Sequence, residues 1–470
     1  MSHRWTRRTF LENSGKTAAG MAALSAIAGG CAGGGPNKVA MVPGRRTIGA
    51  NDKVNIAMIG CGGMGKTNLN DFIKTGQCNF VALCDVDRSR LETMAQLIKD
   101  ATGQSPKLEK DCRKVLEMKD VDAAVISTPD HWHAAQMIAA VAAGKDVYVE
   151  KPCCHNIKEG RAMVDAAGKY NAVVQVGTHQ RSAKHMLEAM EYIRSGRLGT
   201  ISMTETYTYG NEAPDGMGHE PNEPVPNGVD YDMWLGPAPL RPFNKRHFHF
   251  WFRWYFAYAA GMVGDWNVHL QDITMWTLKS DYPSAVSTSG GKLVLTDDRD
   301  TPDTMLATYE FKPGPYTPKG HVHLYTMRKA SGPPWSRNGY GMVFHGTNGK
   351  LHITRKEWEV IADAKDWNKP DQGYRTESFK KDGVDNHYEH VMDFLDCMRT
   401  RKKPVATIEE HFKTVTACHL ANVSLQAGRK LFWDPRKELC YKDAEKTILD
   451  PQANQHLTRE YRKGYELPAV

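Results

Sequence analysis

The run Val54 to Ile59 is apolar except for Asn55, which predicts a strand buried on both faces of a parallel sheet. Short apolar runs recur at Phe80–Cys84, Ala123–Ser127, Asp146–Val149 and Ala172–Val176. Between the first four lie helix-compatible stretches, Thr67–Thr75, Arg88–Ala101, Asp111–Met118 and Ala134–Ala143. Strands alternating with helices predict a doubly wound sheet, whose ligands sit beyond the carboxyl ends of the strands. From Thr200 to Thr354 the pattern changes to strand-like runs at Ile201–Tyr209, Ser284–Leu295, Met305–Phe311, His321–Met327 and Met342–Thr354. Asn211–Asp230, rich in Gly, Pro and Glu, reads as a long loop placed to cover a substrate. Helical periodicity returns at Asp385–Met398 and Glu409–Gly428, and Arg429–Trp433 closes the fold.

The first strand ends at Gly60, and the spacing Gly60-x-Gly62-x-x-Gly65 follows, with Gly63 and Met64 between. In a dinucleotide turn the first glycine permits the bend, the second lets backbone approach a pyrophosphate, and the third lets the helix pack on the strand. The second strand ends in Asp85, 20 positions after Gly65, the offset of a carboxylate that accepts from a ribose hydroxyl. The bland alternative for Asp85 is a cap for the helix that follows. A free acid there repels a 2′-phosphate, which favours NAD over NADP, and Arg88 weakens that preference. Thr128-Pro129-Asp130-His131-Trp132-His133 and Glu150-Lys151-Pro152 also follow strand ends, so they join the same crevice. A Rossmann domain is the expected architecture.

At 470 residues the chain is long enough for two cores. A net charge of +7, with its basic residues scattered and not interleaved with aromatics, argues against nucleic acid. Residues 1–35 read as an export signal: Arg7-Arg8-Thr9-Phe10-Leu11 resembles a twin-arginine motif, followed by a short apolar run, Ala18 to Ala28. Ala28-Gly29-Gly30-Cys31 resembles a lipoprotein processing site, which would leave a membrane tether on Cys31, although the usual leucine is absent. The 10 cysteines form no C-x-x-C pair, so neither a disulfide framework nor a zinc site is indicated. Thiols in an exported chain fit folding in a reducing compartment first, which a twin-arginine route provides, and a periplasmic or envelope-anchored location follows.

The glycine turn, Thr128–Ala134 and Glu150-Lys151-Pro152 together resemble the Gfo/Idh/MocA family of sugar dehydrogenases. The likeness continues through Val176–Arg181, Trp234–Pro239, Gly261–His269 and Gly428–Leu431. It implies a Rossmann domain at 52–178, after a signal (1–35) and linker (36–51). An α/β domain at 179–440 with an open, largely antiparallel sheet and a tail at 441–470 would follow. It also implies that Lys151 lies beside the nicotinamide and a substrate hydroxyl, with Pro152 in cis aiming it there. Asp265 and His269 match the family's D-x-x-x-H pair. Spacing of four puts them on one helix face, Asp265 orienting His269, a general base near neutral pKa. His179, Gln180 and Arg181 match substrate-contact positions. His131 and His133 read as crevice wall, alongside Gly60, Gly62, Gly63, Met64, Gly65, Asp85, Thr128, Pro129, Glu150 and Lys151 at the cofactor.

Two His-x-His pairs, His247/His249 and His321/His323, lack an accompanying cysteine or carboxylate cluster, so no metal is expected. The implied activity is hydride transfer between a secondary alcohol of a sugar, glycoside or polyol and NAD, held tightly because an envelope contains little free dinucleotide. The alternative is glycoside cleavage through oxidation, elimination and re-reduction with resident NAD. Relatives with that activity depart from the Glu-Lys-Pro motif. An open sheet in the second domain also predicts a homo-oligomer.

Overall fold

A computed structural model describes residues 45–332, 339–384 and 387–470. The export motif, Cys31 and most of the linker lie outside them. The first sheet has six parallel strands in the order β3-β2-β1-β4-β5-β6. They are β1 (Val54–Ile59), β2 (Cys78–Cys84), β3 (Lys107–Glu109), β4 (Ala123–Ile126), β5 (Asp146–Val149) and β6 (Val174–Val176). The reversal of order beside β1 opens the crevice at the strands' carboxyl ends, where a doubly wound sheet binds its ligand. The strand at Lys107–Glu109 was not expected. It has only three residues, two of them charged, and it pairs at the sheet edge, where polar side chains are tolerated.

The helix Gly63–Thr75 starts inside the glycine turn, four residues earlier than its apolar pattern suggests. Asp87, not Asp85, caps the next helix, Arg88–Thr102, by accepting the Ser89 N–H at 2.9 Å. That leaves Asp85 available to the crevice.

The second sheet has 11 strands. Its path runs β15-β14-β13-β12-β7-β10-β9-β8-β16-β17, and β11 (Ala330–Ser331) pairs with β7 off that path. The strands are β7 (Ile201–Asn211), β8 (Ala285–Gly291), β9 (Thr304–Phe311), β10 (His321–Arg328), β12 (Tyr340–Gly346), β13 (Gly349–Ile353), β14 (Glu357–Ala362), β15 (Phe379–Asp382), β16 (Leu431–Asp434) and β17 (Leu439–Tyr441). Only β7 and β10 pair in parallel, so the sheet is largely antiparallel, as expected. The run Met342–Thr354 is two strands, because Thr347-Asn348 turns the chain into a hairpin. Strands β9 and β10 alternate strictly: Met305, Ala307, Tyr309, Tyr325 and Met327 face the core, while Leu306 and Val322 are exposed.

Two helices from the far end of the chain return to the first domain. His387–Thr400 packs on Gly63–Thr75, with Phe394 edge-on to Phe72 and Tyr148 at ring separations of 6.4 and 5.8 Å. Ile408–Ala427 is buried on nearly all sides and touches the helix Ile157–Lys169, the helix Val268–Leu278 and β8. Burying an aromatic side chain such as Phe394 contributes about 1.5–3 kcal/mol, and Val391, Leu395 and Met398 are buried on the same helix, His387–Thr400.

Candidate active site

One cavity of about 250 Å³ lies at the crevice between the sheets, and the chemistry-bearing motifs converge on it. At its dinucleotide end Gly60 has φ +94°, and a Cβ there would lie 2.6 Å from the Ser127 carbonyl group. A Cβ on Gly65 would collide with the Gly60 carbonyl oxygen. The helix Gly63–Thr75 has no side-chain cap at Gly62, so its opening N–H groups border the cavity beside Gly62, Gly63 and Met64. An uncapped helix start with its positive dipole end toward a cavity fits a pyrophosphate. Asp85 lines the same space and accepts the Cys61 N–H at 2.7 Å and the Asp87 N–H at 2.9 Å, bracing the turn. Burial raises its pKa against those two hydrogen bonds.

Arg88 turns away to Glu92 and is largely exposed, so it does not act on the cavity as the sequence suggested. Arg90, one turn position further, does: its guanidinium lies where a Cβ on Gly62 would fall, close to Asp85 and Asp87. The helical phase separates the two arginines, because positions two apart face different sides. The end of the loop that closes at Asp230 docks here. Arg88 N–H donates to the Gly228 carbonyl, and Asp230 N–H donates to the Val86 carbonyl.

Thr128, Pro129, Glu150 and Lys151 all line the cavity. Thr128 is fixed by a 2.7 Å hydrogen bond to Gln136, and Glu150 accepts from Asn68 at 2.9 Å. His131 and His133 are not part of the wall. His131 Nε2 meets the Trp234 carbonyl at 2.9 Å, and His133 lies 2.8 Å from both the Pro152 and Thr128 carbonyls. Both rings are buried, which lowers their pKa values to about 3 and about 4, and both serve to lock the loops behind the cavity. Their place on Asp130–Ala142 turns them inward, while Asp130 and Trp132 on that helix face the cavity.

At the opposite end the Lys151–Pro152 peptide is cis. Lys151 Nζ donates to the Asp265 carbonyl at 2.7 Å and its carboxylate at 3.1 Å. Arg253 Nε donates to the same Asp265 oxygen at 3.1 Å. Burial would push Asp265 upward, but the two cations hold its pKa at about 2. Asp265 therefore anchors two cations and does not orient His269. The spacing argument fails because Val263–Asn267 is a π-helical turn, whose wider pitch breaks the α-helical stacking of positions four apart. His269, on the following helix, lies against His179 and Trp266 with ring separations of 5.3 and 6.3 Å. Burial, then the charges of Lys151 and Arg355, drive its pKa well below the usual value, so the near-neutral base expected from sequence is absent.

His179 stacks on His387 at 3.7 Å beside His269. Gln180 is buried, with no hydrogen bond to its amide group among the described residues. Arg181 is a core residue: it makes a two-pronged pair with Asp272 at 2.7 and 2.8 Å and donates to the Val405 carbonyl. None of the three lines the cavity.

Arg253 and Asp130 were missed or undervalued from sequence. Arg253 sits in an aromatic-rich stretch that gives only a weak substrate-contact signal, and Asp130 carries no signal beyond its place in the strand-end motif. Burial raises the Asp130 pKa to about 8, although Lys151 and Arg253 pull it down, and Asp265 adds to the rise. Among the His-x-His residues, His249 lines the cavity and contacts Asp87 at 2.9 Å, while His323 meets Thr204 and Thr206 inside the second sheet. No three His, Cys, Asp or Glu side chains converge as a metal site among the described residues.

Residues 54–178 match the oxidoreductase family with an NAD-binding Rossmann fold, and residues 197–299 match the same family's C-terminal α/β domain. By class, residues 54–178 are the NAD-binding Rossmann domain of an oxidoreductase family. The two matched stretches correspond to the N-terminal and C-terminal domains of the Gfo/Idh/MocA family. A glycosyl hydrolase family 109 protein from Shewanella putrefaciens is 27% identical over 209 residues, covering 42% of this chain and 45% of that relative. The chain thus spans about half the length of the curated relatives it matches. The WlbA dehydrogenase from Bordetella pertussis, solved with NADH and UDP-GlcNAcA, superposes with a TM-score of 0.59 at 17% identity, over 81% of this chain and 99% of that one. Levoglucosan dehydrogenase, solved with NADH and L-sorbose, gives a TM-score of 0.59 at 18% identity over the same shares. At these identities the structures share the fold.

Proposed function

We propose that this protein moves hydride between a secondary alcohol of a sugar, glycoside or polyol and a tightly held NAD. The observation that supports it most is the placement of Lys151, anchored on Asp265, in the same cavity as the uncapped helix start of the glycine turn. Residues Gly60, Gly62, Gly63, Met64 and Gly65 would hold the pyrophosphate, with Asp85 at a ribose hydroxyl. When bound, the nicotinamide supplies the two-electron acceptor. Lys151 orients the substrate hydroxyl, and Asp265 fixes Lys151. His269 offers an uncharged ring as the first base for the hydroxyl proton. The dehydrogenases solved with NADH and sugar-type ligands carry this fold, which supports the substrate class.

Export through a twin-arginine route, with retention in the periplasm or a tether at Cys31, is part of the proposal. It is supported by Arg7-Arg8 and the apolar run. The nine described cysteines are all buried and free, as a fold completed in a reducing compartment would leave them. Leu306 and Val322 on the open face of the second sheet support a homo-oligomer.

The glycosidase-like relatives favour a second reading, glycoside cleavage with the dinucleotide cycling in place. Purified mature protein would be assayed for bound dinucleotide, then given sugars and glycosides with and without a hydride acceptor. Acceptor-dependent ketone formation is the expected result. Aglycone release without acceptor would replace the proposal with the second reading, and absence of any dinucleotide would end both.

A further inference from the structure

Oxidising an alcohol releases a proton as well as a hydride, and the residue closest in role to a base is poorly suited to keep it. A protonated His269 would be a buried cation beside Lys151 and Arg355. Asp265 is no better, since Lys151 and Arg253 both hold it ionised. Of the other carboxyls that line the cavity, Asp85 braces the glycine turn and Glu150 accepts from Asn68, which leaves Asp130. Asp130 opens the helix Asp130–Ala142, is 6% exposed, and borders the cavity with Lys151, Arg253 and Asp265. Among the described residues it forms no ion pair within 4 Å, unlike Asp265.

We propose that Asp130 keeps, inside the cavity, the proton that leaves the substrate hydroxyl for as long as the dinucleotide stays reduced. The inference rests on the dinucleotide reading of the same site. In the step, the substrate C–H bond breaks and its electron pair leaves as hydride to the nicotinamide. The substrate O–H bond breaks, and an O–H bond forms on the Asp130 carboxylate. The nicotinamide loses its positive charge as Asp130 loses its negative one, so the cavity's net charge does not change. That match matters in a buried site, where an unbalanced charge is costly.

The charged groups facing Asp130 agree with this. Lys151 and Glu150 project from the end of β5, Arg253 from the turn His249–Trp254 and Asp265 from the π-helical turn. Without a dinucleotide, burial holds the Asp130 pKa at about 8, so it is mostly protonated at neutral pH. A nicotinamide cation would favour its ionised form, and reduction would restore the acid. Because the proton stays in place, the reverse hydride transfer finds it there. This suits a dinucleotide that is oxidised and reduced without leaving.

The test uses the full-length protein loaded with NAD and reduced by dithionite, with no sugar present. Infrared difference spectra at pH 7 are recorded in H₂O and D₂O, with near-ultraviolet absorbance reporting reduction. A protonated-carboxyl C=O band that appears on reduction and shifts in D₂O is the expected result. The band should vanish in Asp130→Asn and return at a displaced frequency in Asp130→Glu. Reduction without such a band in the wild type, or a band that persists in Asp130→Asn, would overturn the inference. If no dinucleotide binds or reduces, the reading beneath it fails as well, and absorbance tells the two failures apart. Should Asp130→Asn not fold, the frequency shift in Asp130→Glu decides.

Discussion

Lys151 and Asp265 form a charged contact of 3.1 Å in the cavity, and each depends on the other. Removing the ammonium leaves Asp265 with Arg253 alone, so the carboxylate remains paired and the local fold should survive. Lys151→Ala is therefore expected to lose about 10²–10⁴-fold in turnover while retaining bound dinucleotide, as measured by single-turnover absorbance and cofactor content. The pH profile follows from the shifts at His269 and Asp130. A histidine driven well below its usual value is neutral throughout the physiological range, so it contributes no limb near neutrality. Asp130, raised to about 8, does titrate in or just above that range. The near-neutral limb of the rate profile is expected to persist in His269→Asn, at lower overall rate, and to flatten in Asp130→Asn. Lys151, Asp265 and the glycine-turn residues were legible in the sequence because motif and strand-end position coincide. The pairing of Asp265 with His269 was not, because one π-helical turn reverses the inference from a spacing of four, and no residue type announces such a turn.

At the scale of elements, the glycine turn and its helix are fitted to one another with no room for a methyl group. A Cβ on Gly65 meets the Gly60 carbonyl oxygen, which is backbone and cannot rotate away. Gly65→Ala is expected to cost about 1–3 kcal/mol and to weaken dinucleotide binding, read by thermal melts with and without NAD. The parallel strands β1, β2, β4, β5 and β6 were legible because their runs are mostly apolar. The edge strand β3 was not, since Lys107 and Glu109 carry no hydrophobic signal and only the neighbouring strand recruits them. The docking of His387–Thr400 on Gly63–Thr75 was also hidden. Its apolar face shows that something is covered, but not which of the two sheets supplies the partner.

Across the whole molecule, Arg181 ties the segment after β6 to Asp272 on the helix Val268–Leu278 and to the Val405 carbonyl. Its motif neighbours made it look like a substrate contact, yet both it and Asp272 are buried. Breaking one side of a buried pair strands the other charge, so Arg181→Met is expected to lower stability by about 3–5 kcal/mol, measured by denaturant unfolding. A substrate contact would instead raise KM and leave stability unchanged. The segment after residue 457 ties down the opposite side. Arg459 donates to the His131 carbonyl and pairs with Glu159 at 2.6 Å, Arg462 donates to the Gly236 carbonyl, and Tyr465 lies edge-on to Trp132. Trp132 in turn donates to the carbonyls of Met233 and Trp234, and all three line the cavity. Arg459 reaches a group 328 positions earlier in the chain. On the ribosome the glycine turn emerges long before this brace is made. The nucleotide crevice therefore acquires its finished wall only after the segment around Arg459 and Tyr465 has been made, and the final grip on a dinucleotide waits for that segment.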